Sequence, residues 1–349
     1  MDDRLESMYR RFTWRILSNY VSPWEFERNR EQITDYEQWC AVWSQTAAGH
    51  VARGEHALQA GHRLTAGDAF LRAGLCFHWA NFMFTHDQEQ LRAAFDGMAD
   101  AWRRASPNVA PEMELLEVGF EGVALPGYLR RPADVARPPL MVAFPGADSN
   151  KEELYNLGEH FVARGMAFAA FDGPGQGAVS LQMKMRADYE LAIRAVLDEL
   201  CRRDDLDSGR IAAGGISYGG LFSLRAAAVD DRIRAAVSVS SWYSPGGRFE
   251  TMEPLSRQGQ YQYLGADPAA TMAAISLEGV GEKVTVPVLQ VFGELDPASP
   301  PSTGERVAAE VAGPVTTLVY PDGVHILNNI WYRARADIAD WVHDVLAES

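Results

Sequence analysis

The sequence has few of the features that mark secreted, membrane-bound or metal-binding proteins. Its 349 residues include three cysteines, Cys40, Cys76 and Cys201, which lie far apart and show no CxxC spacing. A disulfide framework or a cysteine-based metal site is therefore not expected. No apolar run is long enough to span a bilayer, and the first residues lack the apolar core of a secretory signal. We expect a cytoplasmic protein with reduced thiols.

The sequence also lacks an excess of positive charge. It has 32 Lys and Arg against 47 Asp and Glu, which gives a formal net charge of −15. This balance argues against nucleic acid or an anionic membrane as the main partner, and the alternative interpretation of the charge is solubility. The expected partner is a small-molecule substrate. The hydrophobic fraction is 47% and no low-complexity tract interrupts it, so the chain can bury a large core.

The first third of the chain shows helical periodicity only. Between residues 4 and 106 apolar residues recur at helical spacing, which predicts a helical domain over residues 1–111. Two helix starts are predicted inside it. One is a capping box formed by Thr65 and Asp68 in TAGD, and the other is Asp87.

After Pro111 the pattern changes to short β-rich runs. Eight such runs follow, among them PLMVAFPG, RIAAGGIS and VPVLQVFG, and helical stretches separate the later ones. This alternation predicts an α/β domain over 112–349, with a mostly parallel sheet flanked by helices and a short insertion around 242–282. Ligands of such sheets bind beyond the carboxyl ends of the strands.

One serine in this domain lies between glycines at the second position on either side. Gly215, Ser217 and Gly219 fall where the predicted strand RIAAGG meets the predicted helix LFSLRAAAV. This is the setting of a nucleophile elbow, in which the serine has a strained backbone and larger side chains would collide with neighbouring backbone. The amide of Tyr218 is then a candidate oxyanion donor. The alternative is a chance G-x-S-x-G.

A serine nucleophile needs a base and an orienting carboxylate, in the chain order Ser, acid, His. Asp296 follows the strand VPVLQVFG, and His325 follows the next strand, VTTLVYP. Glu294 and Asp322 are rival acids. The second oxyanion amide is predicted after PLMVAFPG, with Ala147 as the candidate.

A competing motif lies in FDGPGQGA, where Gly173, Gly175 and Ala178 have the G-x-G-x-x-A spacing of a dinucleotide site. No acidic residue ends a following strand at the required distance, and Pro174 and Gln176 suit a tight loop better than a helix start. We therefore expect no cofactor, and no metal is expected either.

Four stretches carry a family resemblance: CFHWANFMFTHDQEQLRAA, PGADSNKEE, FDGPGQG and DGVHILNNIWYRARADIADWV. They resemble the 2,6-dihydroxypseudooxynicotine hydrolase group of α/β-hydrolases, akin to the fermentation-respiration switch proteins. The resemblance implies a helical domain against an α/β-hydrolase domain, a Ser217, Asp296 and His325 triad, and cleavage of a carbon–carbon bond between a ketone and an aromatic ring. Related fungal members shorten polyketide side chains in secondary metabolism. The resemblance also implies a glutamate in the cap that assists catalysis, and Glu250 and Glu253 are both candidates for it.

Two further functions use the same residues. They are a carboxylesterase and an acyl-transferring or cyclising enzyme, while a non-catalytic binding protein is disfavoured by the intact Ser, Asp and His. Aromatic residues are candidates for substrate binding, although core packing is the alternative for each: Trp79, Phe82, Trp242 and Tyr243. The helical domain is expected to roof the active site, with a homodimer formed through it as the alternative.

Overall fold

The computed structural model describes residues 2–348, which form two compact units. One unit comprises the residues up to 115 together with 253–259, and the other comprises 116–252 and the residues from 260 onward. The short segment 253–259 thus belongs with the helical residues although it lies inside the predicted insertion. In the chain from 2 to 348, no helix combines the length and the apolar character that crossing a bilayer requires.

The first unit is helical, as the periodicity predicts. Its helices are α1 (Asp3–Leu17), α2 (Pro23–Gln32), α3 (Trp39–Gln59), α4 (Arg63–Asn81) and α5 (Gln88–Ala105). Asp87 caps α5 by accepting the amides of Glu89 and Gln90 at 2.8 and 3.1 Å, which confirms that predicted start. The start predicted at Thr65 is wrong, because α4 already begins at Arg63 and Thr65 lies within its first turn.

Large aromatic side chains form the core of this unit. The fully buried ones include Tyr36, Trp39, Trp43, Phe70, Trp79, Phe82, Phe84 and Trp102. The indole N–H of Trp39 donates to the carbonyl of Trp79 at 2.7 Å and so fixes α3 to α4. Rings of this size contribute most of the apolar area that holds a helical bundle together.

The second unit is built on a sheet. Its strands are β1 (Met113–Phe120), β2 (Val123–Arg130), β3 (Leu140–Phe144), β4 (Ala167–Phe171), β5 (Ile211–Ile216), β6 (Ile233–Val239), β7 (Val288–Gly293) and β8 (Val315–Tyr320). They are ordered β1-β2-β4-β3-β5-β6-β7-β8. The pair β2 and β4 is antiparallel, and the strands from β4 to β8 are parallel. The predicted α/β class with a mostly parallel sheet is confirmed.

The helices that follow residue 116 alternate with these strands. They are α6 (Tyr155–Val162), α7 (Glu190–Leu200), α8 (Tyr218–Ala227), α9 (Pro254–Leu264), α10 (Pro268–Ala274), α11 (Thr303–Glu310) and α12 (Trp331–Ala347). Every residue of β3, β4, β5 and β7 is buried, whereas β8 is partly exposed. This is the burial expected of central parallel strands and of an edge strand.

Strand register aligns the carboxyl ends of the central strands. Phe144 at the end of β3 pairs with Gly215, and Ile216 at the end of β5 pairs with Val239 at the end of β6. The loops after β3, β5 and β6 therefore leave the sheet side by side. This is the edge at which parallel sheets bind ligands.

Candidate active site

Ser217 occupies the turn between β5 and α8 in a strained conformation. Its φ and ψ are 54° and −118°, a region that non-glycine residues rarely adopt. The amide of Ser217 donates to the Val239 carbonyl at 2.8 Å, and the Ser217 carbonyl accepts the amide of Gly220 at 3.1 Å. The surroundings thus hold a conformation that costs on the order of 1–3 kcal/mol, and such strain is concentrated at functional sites.

The glycines on either side leave no room for side chains. A Cβ on Gly215 would lie 2.3 Å from the Phe144 carbonyl oxygen, and a Cβ on Gly219 would lie 2.0 Å from the same oxygen. Backbone cannot yield as a flexible side chain can. The collision predicted from the sequence is therefore present at both positions.

Asp296 and His325 are hydrogen-bonded to each other after β7 and β8. His325 Nδ1 lies 2.7 Å from Asp296 Oδ2, and the Asp296 side chain is fully buried while that of His325 is one-third exposed. The other Asp296 oxygen accepts the amides of Ala298 and Ser299 at 2.8 and 3.0 Å. The carboxylate is thus immobilised and the imidazole is tethered at one nitrogen.

The protonation of this pair follows from its surroundings. Burial by itself raises the pKa of Asp296, but the positive charge and hydrogen bond of His325, with the amides of Ser299 and Ala298, outweigh burial and lower it below the ordinary value. An ionised Asp296 accepts a hydrogen bond from the Nδ1–H of His325. Nε2 is then the nitrogen with the free lone pair, which is the one a general base uses.

The predicted oxyanion donors lie beside the serine in the chain and in the fold. A Cβ on Gly146 would be 3.3 Å from Ser217 Cβ and 3.8 Å from Ser217 Oγ, so the loop after β3 packs against the serine. Ala147 follows in that loop and is buried. Tyr218 is the first residue of α8, where amides have no partner within the helix.

The rival acids are exposed. Glu294 lies on the surface, and both carboxylate oxygens of Asp322 contact Arg333, at 3.1 and 3.2 Å. Neither is hydrogen-bonded to His325 in the way that Asp296 is. The structure therefore favours Asp296 over both rivals.

The two aromatic residues after β6 have different environments. The ring of Trp242 stacks near that of His325, with centroids 6.2 Å apart and planes at 24°, and its N–H donates to the Ala298 carbonyl at 2.8 Å. The hydroxyl of Tyr243 instead donates to Glu310 at 2.7 Å. Trp242 is thus next to the candidate base, and Tyr243 packs against α11.

The two candidate cap acids also differ. Glu253 accepts from Ser7 at 2.6 Å and from Arg10 at 2.7 Å. The Ser7 hydrogen bond and the nearby arginines lower the pKa of Glu253, so it is ionised at neutral pH. Glu250 is exposed and lies two residues after Arg248, whose guanidinium covers the ring of Trp242 at 4.6 Å.

Trp79 and Phe82 lie in the core of the helical unit. Their ring centroids are 5.3 Å apart, and Phe82 also contacts the ring of Phe12 at 4.9 Å and the guanidinium of Arg15 at 4.8 Å. Both side chains are at most 1% exposed. These contacts account for the residues as core, and their role in substrate binding stays a prediction.

Ser240 lies near the site and is not among the residues predicted from the sequence. Ser240 directly follows β6, has φ of 47°, and accepts the amide of Ile326 at 2.9 Å on its hydroxyl. It thereby fixes the backbone immediately after His325. A serine at a strand's carboxyl end is the only sequence feature that points to it.

The sheet, the strained serine at the β5 to α8 turn and the Asp296 and His325 pair define the class of this chain as an α/β hydrolase. Two family models each match more than half of it: the FrsA-like esterase model over residues 31–243 and the prolyl oligopeptidase family model over residues 157–349. The chain belongs to the FrsA-like esterase family, and its second half also matches the prolyl oligopeptidase family.

Two comparisons with individual proteins show similarity over most of this chain. The chain is 29% identical over 314 residues to a 2,6-dihydropseudooxynicotine hydrolase of Paenarthrobacter nicotinovorans, covering 88% of this chain and 84% of that one. A crystal structure of the 2,6-dihydroxy-pseudo-oxynicotine hydrolase superposes with a TM-score of 0.87 over 96% of both chains at 27% identity. The resemblance predicted from the sequence is confirmed.

A fungal relative is more similar over a shorter stretch. The α/β hydrolase xenA of Xenoacremonium sinensis is 37% identical over 238 residues, which is 64% of this chain. The match spans only 56% of the fungal protein. The similarity is thus to about half of that relative.

Proposed function

We propose that this chain is a serine-nucleophile hydrolase that cleaves a carbon–carbon bond next to a ketone in an acyl-aromatic or polyketide-like small molecule. The observation that carries the proposal is the strained Ser217 at the β5 to α8 turn, in a domain where an ionised Asp296 orients His325. A hydroxyl held in this way, a base with a free Nε2 and a buried carboxylate are the parts that acyl chemistry needs.

The first step forms a bond between Ser217 and the ketone. His325 Nε2 takes the proton of the Ser217 hydroxyl while Oγ attacks the carbonyl carbon. The carbonyl oxygen gains the electron pair of the C=O π bond and becomes an oxyanion. The amides of Ala147 and Tyr218 donate to it in the proposal, which lowers the barrier because charge develops there.

The second step breaks the carbon–carbon bond. The oxyanion collapses to a carbonyl, and the bonding pair leaves with the aromatic carbon. This carbon takes a proton from the His325 imidazolium, or from a cap acid that the imidazolium then reprotonates, so that His325 is neutral again on either route. Ser217 is left as an acyl ester. Water, deprotonated by His325, then attacks this ester and releases the acid and the free hydroxyl.

The proposal that the cleaved bond is a carbon–carbon bond rests on sequence similarity to a relative. The P. nicotinovorans relative is named for a pseudooxynicotine, and the sequence resemblance to its group implies carbon–carbon cleavage. The description of the family as esterases supports the second candidate, a carboxylesterase that uses the same residues with an oxygen leaving group. Transfer of the acyl group to a nucleophile other than water is the third.

Glu250 is the better of the two candidate cap acids. Glu253 is ionised and held by Ser7 and Arg10, which makes it a poor proton donor. Glu250 belongs to the segment that Arg248 links to the ring of Trp242, and Trp242 stacks on His325. A carbanion is more basic than the oxygen leaving group of an aryl ester, so its departure depends more strongly on such an acid.

The test begins with covalent labelling. An aryl phosphonate should add to Ser217 in the intact protein, as mapped by peptide mass spectrometry, and Ser217→Ala should abolish the label. A protein that stays unlabelled over hours at millimolar phosphonate contradicts the serine nucleophile and supports a binding protein.

A matched substrate pair then separates the candidates. An aryl ketone and the aryl ester with the same acyl and aryl groups are compared as substrates. Cleavage of the ketone supports the proposal, whereas cleavage of the ester alone supports the carboxylesterase. Glu250→Gln should slow the ketone more than the ester, and Glu253→Gln should affect both equally.

A further inference from the structure

The glycine-rich loop FDGPGQG carries a buried glutamine that the mechanism above does not use. The loop follows β4, and Gln176 is fully buried at its end. Gly175 and Gly177 have φ of 81° and 45°, which favours glycine at both positions. The loop does not open a regular helix at a phosphate-binding turn, so its glycines serve to fold it tightly around Gln176.

The hydrogen bonds of Gln176 fix the orientation of its amide. Oε1 accepts the backbone amide of Gly173 at 2.9 Å and the hydroxyl of Tyr189. A backbone N–H can only donate, so the atom facing Gly173 must be the oxygen. Nε2 therefore points to the carbonyl oxygen of Pro145, to which it donates at 2.5 Å.

Pro145 begins the loop that packs against the serine. Its carbonyl and the amide of Gly146 are opposite ends of one planar peptide, so fixing the carbonyl fixes the direction of the amide. A Cβ on Gly146 would lie 3.3 Å from Ser217 Cβ, and a Cβ on Gly219 would lie 2.6 Å from the Pro145 carbonyl oxygen. The carbonyl is thus held between Gln176 and the first turn of α8. The amide of Ala147 comes next along the chain.

The other end of the glycine-rich loop is anchored independently. Asp172 accepts the backbone amide of Lys151 at 2.7 Å and its ammonium at 3.1 Å, and a Cβ on Gly177 would lie 2.5 Å from the Asp172 carboxylate. These contacts hold both ends of the loop, so the position from which Gln176 donates to Pro145 is fixed.

We propose that Gln176 is a positioning residue that holds the Pro145 to Gly146 peptide, so that the amide of Ala147 faces the oxyanion. This inference rests on the proposed function, because it requires that Ser217 forms a tetrahedral adduct. Gly146 has no side chain that could anchor the start of this loop, so the hydrogen bond from Gln176 to the Pro145 carbonyl fixes the peptide from which the chain leads to the Ala147 amide. Misplacement of one donor by about 1 Å costs up to roughly 100-fold in rate.

The chain offers a matched control for the loss of a buried glutamine. Gln290 in β7 is 1% exposed, and its Nε2 donates to the Gly304 carbonyl at 3.2 Å, away from Ser217 and its loops. Gln290→Met and Gln176→Met both remove a buried hydrogen bond to a backbone carbonyl, and Gln176→Met also removes the acceptor of the Gly173 amide and the Tyr189 hydroxyl. A merely structural role of Gln176 would lower the free energy of unfolding in both variants without a selective loss of kcat in Gln176→Met.

The experiment measures kcat and KM on 4-nitrophenyl acetate and the Ki of an aryl trifluoromethyl ketone, which forms a hemiketal oxyanion on a serine nucleophile. Gln176→Met should lower kcat roughly 10- to 100-fold with KM nearly unchanged. It should also raise the Ki by a similar factor. Gln290→Met should leave both near wild type. Wild-type kcat in Gln176→Met, or equal losses in both variants, would overturn the inference.

A second variant tests the donor itself and covers a failure of Gln176→Met to fold. Gln176→Glu has the same shape, but only its protonated form can donate to Pro145. Burial favours that form, so the ratio of its kcat to the wild-type kcat should rise as the pH falls from 9 to 6. A ratio near one at pH 9, where an ionised carboxylate cannot donate to Pro145, overturns the role of the donor. Phosphonate labelling of Ser217 in the wild type reports separately on the proposed function.

Discussion

Each unit of the molecule contains a carboxylate paired with a histidine, and the two pairs have the same length. In the sheet unit, His325 Nδ1 lies 2.7 Å from Asp296 Oδ2. In the helical unit, His50 Nε2 lies 2.7 Å from Glu25 Oε1. Distance alone does not separate a candidate catalytic pair from a pair that joins two helices.

The surroundings separate them. Asp296 is fully buried and its second oxygen is held by two backbone amides, whereas Glu25 is 18% exposed and its second oxygen is bonded to the hydroxyl of Ser22, which caps α2. The pair in the sheet unit belongs to a domain with a strained serine at its strand ends. The pair in the helical unit lies in regular helices, and it stabilises them.

The largest expected effect comes from neutralising the acid of the sheet unit. The charge of Asp296 keeps the proton on Nδ1 of His325 and so keeps Nε2 basic. Asp296→Asn removes this charge, so kcat should fall by about 10³- to 10⁴-fold with little change in KM. Steady-state kinetics on 4-nitrophenyl acetate measures this. A loss of kcat of the same size in Glu25→Gln would contradict the distinction between the two pairs.

The next effect concerns backbone space. Gly219→Ala places a methyl group 2.0 Å from the Phe144 carbonyl oxygen, so it should destabilise the sheet unit on the order of 3 kcal/mol and abolish most activity. Gly49→Ala in α3 is the matched control, because a Cβ there meets nothing within 4 Å. It should stabilise its helix by about 0.5–1 kcal/mol. Urea unfolding checks both, and equal signs for the two variants would refute the distinction.

The pair in the helical unit should matter for stability only. The hydrogen bond from His50 lowers the pKa of Glu25 from 4.5 to about 2, against the opposing effect of burial. A carboxyl group whose pKa is lower in the folded than in the unfolded state stabilises the fold at pH values above its unfolded-state pKa. This stabilisation is lost as the pH falls through the folded-state pKa. Glu25→Gln should therefore cost on the order of 2 kcal/mol at pH 7, and the cost should shrink between pH 4.5 and pH 2.

Urea unfolding at pH 7 and at pH 3 measures this difference. The value of kcat should remain at the wild-type level in Glu25→Gln. A stability difference that grows on acidification would contradict the assigned pair.

The smallest effect sharpens the comparison beside His325. Trp242→Phe keeps a ring but loses the N–H that donates to the Ala298 carbonyl, so it should lower kcat several-fold and the free energy of unfolding by about 1 kcal/mol. Trp341→Phe, which loses an exposed bond to Thr316, serves as control. An unchanged kcat in Trp242→Phe would show that the hydrogen bond from the Trp242 N–H to the Ala298 carbonyl has no influence on the base.

The sequence predicted the parts of this site that depend on local pattern. The strand runs, the glycines around Ser217, and the positions of Asp296 and His325 after successive strands all follow from residue spacing. Asp87 was recognisable as a cap because its partners are two and three residues away. These features are specified within a few residues of themselves.

The features it did not predict depend on contacts between distant segments. Thr65 fits a cap pattern, yet the helix begins two residues earlier. Segment 253–259 groups with the helical unit through Glu253 and Ser7, which are remote in sequence. The bond from Gln176 to Pro145 exists only once the loops after β3 and β4 are adjacent, so no periodicity or motif records it.

The alignment of the strand ends also has a consequence for synthesis of the protein. The loops that meet there follow β3 to β8, so the residues involved are dispersed from position 145 to position 325. A nascent chain that has emerged only as far as β6 contains the serine but neither its acid nor its base. The proposed hydrolysis through Ser217 should therefore appear during translation only after the last strand has emerged and joined the sheet, which makes it a late reporter of complete folding.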